Sequence, residues 1–164
     1  MINVVIREAM DSDILSIQTI YNQGIEARIA TLETEIKDET YMRNWLENHR
    51  GRYKVIVAEE MGQIVGWASL NQYNNRCAYD GVADLSVYIS REYRGKGVGK
   101  KLLVRLESLA KENGFHKIIL FTFPFNQSGQ GLYKKMEFRE VGVFQKQGIL
   151  GGKFVDVMVM EKLL

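Results

Sequence analysis

Arg94-Gly95-Lys96-Gly97-Val98-Gly99-Lys100-Lys101 is the segment whose residue types and spacing point most directly to chemistry. Three glycines at alternate positions let the backbone approach a ligand closely and adopt positive φ. If a helix begins there, the free N–H groups of its first turn and its dipole favour an anion. Arg94, Lys96, Lys100 and Lys101 add charge suited to phosphate. A pyrophosphate is the natural occupant. Two commoner phosphate motifs fail on spacing. A P-loop needs four residues between its glycines and then Lys-Ser/Thr, but Gly95 and Gly99 enclose three and Lys101 follows Lys100. A dinucleotide fingerprint needs Gly-x-Gly-x-x-Gly, whereas Gly95, Gly97 and Gly99 alternate. A surface turn before a solvated basic helix start would share the same local pattern.

The elements that must position this segment alternate between strand and helix. Val4 and Ile6 open a first strand, and Asp11 is placed to cap a helix with Ile14, Leu15, Ile17, Ile20 and Tyr21 inward. A second helix is expected from Asp38, with Tyr41, Met42, Trp45, Leu46 and His49 on one face and Gly51 at its C′ position. Tyr53–Ala58 and Ile64–Leu70 flank Glu59–Gln63 as a hairpin. Leu85, Val87 and Ile89 continue the strand pattern after a polar loop, Asn71–Gly81. Next comes a helix with Val98, Leu102, Leu103, Leu106, Leu109 and Ala110 inward, ending at Gly114. Ile118–Phe123 reads as a buried strand ended by Pro124. A short helix around Gln130–Met136 precedes strands Val141–Lys146 and Phe154–Met160, joined by a turn at Gly148–Gly152. The order β-α-α-β-β-β-α-β-α-β-β predicts a mixed α/β (α+β) fold with a largely antiparallel sheet and one crossover.

Composition narrows the class. The 164 residues are expected to form a single domain, 1–164, since about 100–200 residues per domain is usual. With 46% hydrophobic and 26% charged residues the chain can build an ordinary core. Its 22 basic and 20 acidic residues leave a net charge of +2, too mild to argue for nucleic-acid binding. One cysteine excludes an internal disulfide framework, and Cys77, His49 and His116 are too few and scattered for a zinc site, so no metal is expected. Neither a signal-peptide pattern at Met1-Ile2-Asn3 nor a membrane-length apolar run is present, which leaves a soluble cytoplasmic domain as the expectation. Cys77, without a visible His partner, reads as a small packed side chain, and His49 as structural.

Arg94-x-x-Gly97-x-Gly99 matches the acyl-coenzyme-A motif (Arg/Gln-x-x-Gly-x-Gly/Ala) of the GCN5-related N-acetyltransferases, and the resemblance extends over nearly the whole chain. The sequence is most similar to the branch containing phosphinothricin acetyltransferases and methionine sulfone or sulfoximine acetyltransferases. The branch markers are Ile20-Tyr21-Asn22, Thr34-Glu35, Ala83-Asp84-Leu85-Ser86-Val87-Tyr88-Ile89, and Asn126-Gln127-Ser128 followed by Leu132-Tyr133. The resemblance implies splayed central strands holding acetyl-coenzyme A. Val87, Tyr88 and Ile89 would pair through their backbone with the pantetheine arm, and the N–H groups of Gly95, Lys96, Gly97, Val98, Gly99 and Lys100 would cradle the pyrophosphate, beside Arg94. Asn126 and Ser128 would lie near the thiol end, Tyr133 would protonate the departing thiolate, and the branch implies a homodimer. Met136-Glu137-Phe138 departs from the family's usual Gly-Phe after this helix.

Amine acetylation by a thioester has its own demands. The amine attacks only as the free base, so a proton acceptor must lie within hydrogen-bond reach, directly or through water. Asp84 is the expected base: it interrupts an apolar strand pattern just before the expected cofactor segment, where burial would raise its pKa. The branch typically has glutamate here, one methylene longer. An aspartate satisfied by backbone N–H groups, and a Tyr133 that simply packs near Met136, are the structural alternatives. Family analogy places acceptor contacts on Thr34 and Glu35 and on the loop carrying Tyr73, Arg76 and Tyr79, with Arg76 as a carboxylate clamp. The expected function is direct transfer of acetyl from acetyl-coenzyme A to the α-amino group of a small amino acid or analogue, in a ternary complex. A protein or peptide N-acetyltransferase and a non-catalytic acyl-coenzyme-A module are the alternatives. A nucleic-acid module built on Lys96–Lys101 lacks an aromatic platform.

Overall fold

The computed structural model describes residues 2–164. Strands β1 (Val5–Glu8), β2 (Val55–Glu60), β3 (Gln63–Gln72), β4 (Val82–Ile89), β5 (Lys117–Thr122), β6 (Arg139–Leu150) and β7 (Lys153–Leu163) form one sheet in the order β1-β2-β3-β4-β5-β7-β6. Every pairing is antiparallel except β4 with β5, which are joined through helix α3 (Val98–Glu112). Helices α1 (Ile14–Ala27), α2 (Glu39–Asn48) and α4 (Gln127–Lys135) complete the order expected from the sequence.

The two faces of β4 separate core from site. Ala83, Leu85, Val87 and Ile89 point one way and join Val98, Leu102 and Leu106 of α3 in the larger apolar cluster. Alternation sends Asp84, Ser86 and Tyr88 to the other face, where Trp67 of β3 packs with Ile14, Ile17 and Ile20 of α1 and Met42 of α2. A fully buried side chain of this kind contributes about 1.5–3 kcal/mol, so each face anchors β4 through several such side chains.

Local details depart from expectation for identifiable reasons. Asp13, not Asp11, organises the entry to α1: its carboxylate accepts from Met10 N at 2.8 Å and binds Arg7 through both oxygens, while Asp11 begins an exposed 3-10 turn. Leu15 is exposed, because the apolar face of α1 turns one residue away from it. α2 ends with its cap at His49, so Gly51, with φ +86°, lies two residues past the cap. The β2–β3 hairpin closes on Met61-Gly62 alone, both at positive φ, which matches the twist of paired strands and lets both strands run into the expected turn. α4 starts at Gln127 because Asn126 Oδ1 accepts from Gly129 N at 3.1 Å; Gly129 and Gly131 conceal its helical pattern. β6 and β7 extend to a turn at Gly151-Gly152, both at positive φ. Cys77 is exposed on a 3-10 turn rather than packed, and Phe121 of β5 is exposed on an otherwise buried strand. Glu137 takes φ +68°, the left-handed turn that glycine would adopt more easily.

Candidate active site

The site begins where two strands part. β4 and β5 pair only at Val82↔Lys117, Ala83↔Ile118 and Asp84↔Ile119. From Leu85 onward the β4 backbone has no strand on that side. Its polar groups there are open to an extended ligand acting as an added strand. A cavity of about 170 Å³ fills the gap, bounded by Asp84–Tyr88 of β4, Phe121–Phe123, Asn126, Tyr133 and Val157, and roofed by Ala30, Thr31 and Leu32 from the segment after α1.

Asp84 sits at the last paired position. Removal from water pushes its carboxyl up to about 7, against the opposing pull of hydrogen bonds from the Asn71 side chain and the Leu85 backbone N–H. A carboxyl poised there can accept a proton near neutral pH. Tyr133 projects from α4 into the same cavity, and burial, followed by the nearby Asp84 charge, raises its hydroxyl above the usual phenol range. Such a hydroxyl keeps its proton at neutral pH and is available as a donor. Its ring also packs against Phe138, 6.0 Å between centroids, so packing and exposure to the cavity coexist.

Tyr88 turns its side chain away from the open backbone edge, into an aromatic cluster 5.0 Å from both Tyr21 and Trp67. Gly24 makes this possible, since a Cβ there would meet Tyr88 Cδ1 at 2.8 Å. Burial raises the hydroxyls of Tyr21 and Tyr88, and both hydrogen-bond Thr31, which ties the roof to the sheet.

Beyond the splay lies the glycine turn. Gly95 and Gly97 take φ of +75° and +86°, and Gly97 is the N-cap of α3. The first intrahelical bond runs from Lys101 N to Gly97 O, so the N–H groups of Val98, Gly99 and Lys100 point outward unpaired by the helix. A Cβ on Gly95 would meet nothing, whereas one on Gly99 would lie 3.0 Å from Leu132 Cδ2; Gly99 serves close packing of α3 on α4. Arg94 Nε donates to Ile89 O at 3.3 Å, Lys96 lies over the Tyr93 ring, and Lys100 is exposed. Lys101 turns back to Ile2 O and contributes its charge elsewhere.

Asn126 lines the cavity and bridges to Thr122 Oγ1, while Ser128 is exposed on the first turn of α4. The residues expected to meet the acceptor are not gathered here. Thr34 and Glu35 are exposed beyond the roof, and Arg76 lies on the β3–β4 loop with Tyr73 and Tyr79, whose rings meet edge-on at 5.9 Å. Sequence reasoning missed Thr31, Ser86, Asn71 and Gly24. Asn71 carried one usable signal, a polar residue two positions after the fully buried Ser69 at the end of an apolar strand. Among the described residues no group of three or more His, Cys, Asp or Glu side chains comes together, and no helix is long and apolar enough to cross a membrane.

Residues 17–138 match the profile of the Acetyltransferase (GNAT) family. The L-methionine sulfoximine/L-methionine sulfone acetyltransferase of Pseudomonas aeruginosa is 27% identical over 158 residues, covering 95% of this chain and 92% of its own. A GNAT superfamily phosphinothricin acetyltransferase from Sinorhizobium meliloti, solved with acetyl-coenzyme A, superposes with a TM-score of 0.93 at 30% identity, covering 98% of this chain and 88% of that one. A ribosomal-protein-alanine N-acetyltransferase from Brucella melitensis superposes with a TM-score of 0.95 at 32% identity, covering 98% and 99%.

Proposed function

The chain belongs to the acetyltransferase (GNAT) family, and from that premise we propose that it moves the acetyl group of acetyl-coenzyme A directly to the α-amino group of a small amino acid or analogue of the phosphinothricin or methionine sulfone/sulfoximine type. The observation that carries this reading is a buried carboxyl, Asp84, at the point where β4 and β5 part, in a cavity that also holds the Tyr133 hydroxyl.

The residues present fit the donor. The unpaired edge of Val87, Tyr88 and Ile89 suits the amide-bearing pantetheine arm. Gly95 through Lys100 offer outward N–H groups at a helix N-terminus for the pyrophosphate, with Arg94 and Lys96 nearby. Bound there, acetyl-coenzyme A supplies an activated thioester with a good leaving group. Asp84 takes one proton from the amine nitrogen, directly or through water, and holds it on a carboxylate oxygen. Tyr133 keeps its phenolic proton available for the departing sulfur. The chain's one cysteine stands outside the cavity on the Cys77 turn, so transfer proceeds without an acetyl-cysteine. Asn126 borders the thiol end, with Ser128 one turn beyond it, and Thr34, Glu35, Tyr73, Arg76 and Tyr79 are placed to complete the acceptor side on ligand binding.

A second reading, acetylation of a peptide N-terminus, is favoured by the likeness to the Brucella melitensis protein. The roof of Ala30–Leu32 over a cavity of about 170 Å³ favours the smaller acceptor. A cytoplasmic homodimer completes the proposal; the apolar side chains of Val141, Val143, Phe144, Ile149 and Phe154, exposed on the β6–β7 hairpin, supply a surface for the partner.

Thiol release from acetyl-coenzyme A, measured across phosphinothricin, methionine sulfone, methionine sulfoximine, a polyamine and an N-terminal peptide, tests the reading. Saturable release with the amino-acid analogues is expected. Release with peptide alone would move the acceptor to protein termini.

A further inference from the structure

Asn71 stands directly across from Asp84 in the β3–β4 pairing, on the face that also carries Ser69 and Ser86. Its amide uses two acceptor and two donor positions, its full capacity. Oδ1 accepts from Ser69 Oγ at 2.9 Å and meets His49 Nε2 at 2.8 Å. Nδ2 donates to Ser86 Oγ at 3.0 Å, and the side chain also hydrogen-bonds the Asp84 carboxylate.

A half-turn of the amide would exchange its oxygen and nitrogen. That orientation sets Oδ1 against the carboxylate, two acceptors facing each other. The observed orientation aims N–H at Asp84, and it requires His49 Nε2 to donate. Nδ1 of the same ring lies 2.8 Å from the carbonyl oxygen of Trp45, which only accepts. Both ring nitrogens therefore face acceptors. The ring lies at the C-terminal end of α2 and 4.4 Å from the Trp45 ring, two surroundings that favour a cation.

We propose that Asn71 and His49 are positioning residues for Asp84: His49, donating from Nε2, locks the Asn71 amide in the orientation that keeps an N–H on the carboxylate. The consequence for the reaction rests on the reading of Asp84 as proton acceptor. Burial alone favours a protonated, useless carboxyl, and the Asn71 N–H opposes it. Tyr133 from α4 and Tyr88 from β4 are the other titratable groups coupled to Asp84. Around His49 a second cavity of about 250 Å³ carries Glu8, Asp11, Arg50 and Lys54. Lys54 is paired with Glu8 at 3.3 Å and Arg50 with Glu47 at 2.6 Å.

The test is a carbon-13 carboxyl NMR titration of Asp84 in the full chain, alongside the acid limb of kcat/KM. Asn71→Leu should raise the Asp84 midpoint by about one pH unit and His49→Leu by about half a unit. His49→Gln, whose amide can still donate to Oδ1, should restore most of the lost shift. The double variant should move no further than Asn71→Leu alone. An unmoved midpoint in Asn71→Leu overturns the proposal, and so does a His49→Leu variant that loses melting temperature while its midpoint stays in place. If Asn71→Leu does not fold, the two His49 variants decide by themselves. The titration needs no substrate: shifts as expected in a protein silent with every amine would sink the acetyl-acceptor reading and uphold the positioning link, whereas turnover with an unmoved midpoint does the reverse.

Discussion

At one end of β4, Asp84 is surrounded by side chains: the Asn71 amide across the strand pair, and the Tyr133 hydroxyl from α4. At the other end, and in the turn that follows, Val87–Ile89 and Gly95–Gly99 offer main-chain groups, unpaired where β5 diverges and turned outward by left-handed glycines. The first end tunes a proton; the second binds shape and charge. Main-chain groups tolerate most side-chain changes but none that alter φ, whereas the Asp84 end depends on each side chain and its ionisation. Substitutions at the two ends should therefore separate kcat from binding.

The largest separation is expected from Asp84→Ala. With the proposed base removed, kcat should fall by about 10²–10⁴ while coenzyme A binding by calorimetry is unchanged. A variant that loses both would mean the two ends are not independent.

Asp84→Asn reads the same end through stability. The folded carboxyl titrates at about 7 against an ordinary value of 3.8, so the folded state holds its proton more tightly than the unfolded chain. Its contribution is complete below about pH 4 and is lost as pH rises toward 7. Asp84→Asn should thus be more stable than the parent by roughly 2–4 kcal/mol at pH 8 and equal to it near pH 4, measured by urea denaturation. A pH-independent difference would mean that Asp84 is not desolvated.

At the main-chain end, Gly97→Val forces a β-branched residue to φ +86°. A cost of about 1–2 kcal/mol should appear as a KM for acetyl-coenzyme A raised about ten- to thirtyfold, with kcat at saturation retained. The smallest effect belongs to neither end. Glu137→Gly relieves a left-handed side chain at φ +68° and should add about 1 kcal/mol of stability without touching KM or kcat.

Legibility followed the same division. Gly95 and Gly97 announced themselves by spacing, because left-handed turns and helix starts are local demands that few residues meet. Asp84 was conspicuous as a carboxylate inside an apolar alternation. Its partner was not, because nothing local tells Asn71 that it will face Asp84 rather than Ala83; a one-residue slip of β3 against β4 would send it to the other face. Thr31 was hidden for a related reason, since its place over Tyr21 and Tyr88 depends on how α1 packs on the sheet. Asn126 was legible both as a cap and as a cavity residue, whereas Gly129 and Gly131 obscured the helix it begins.

By itself the sequence determined the order of strands and helices, the glycine turn before α3 and the carboxylate inside β4. Each of these follows from the local rules of periodicity, capping and backbone freedom. Only the tertiary structure decided where β4 leaves β5, which amide meets Asp84, and how His49 and Thr31 come to the site from distant segments. Register and packing join residues far apart in the chain, and neither is encoded in the neighbourhood of any one of them.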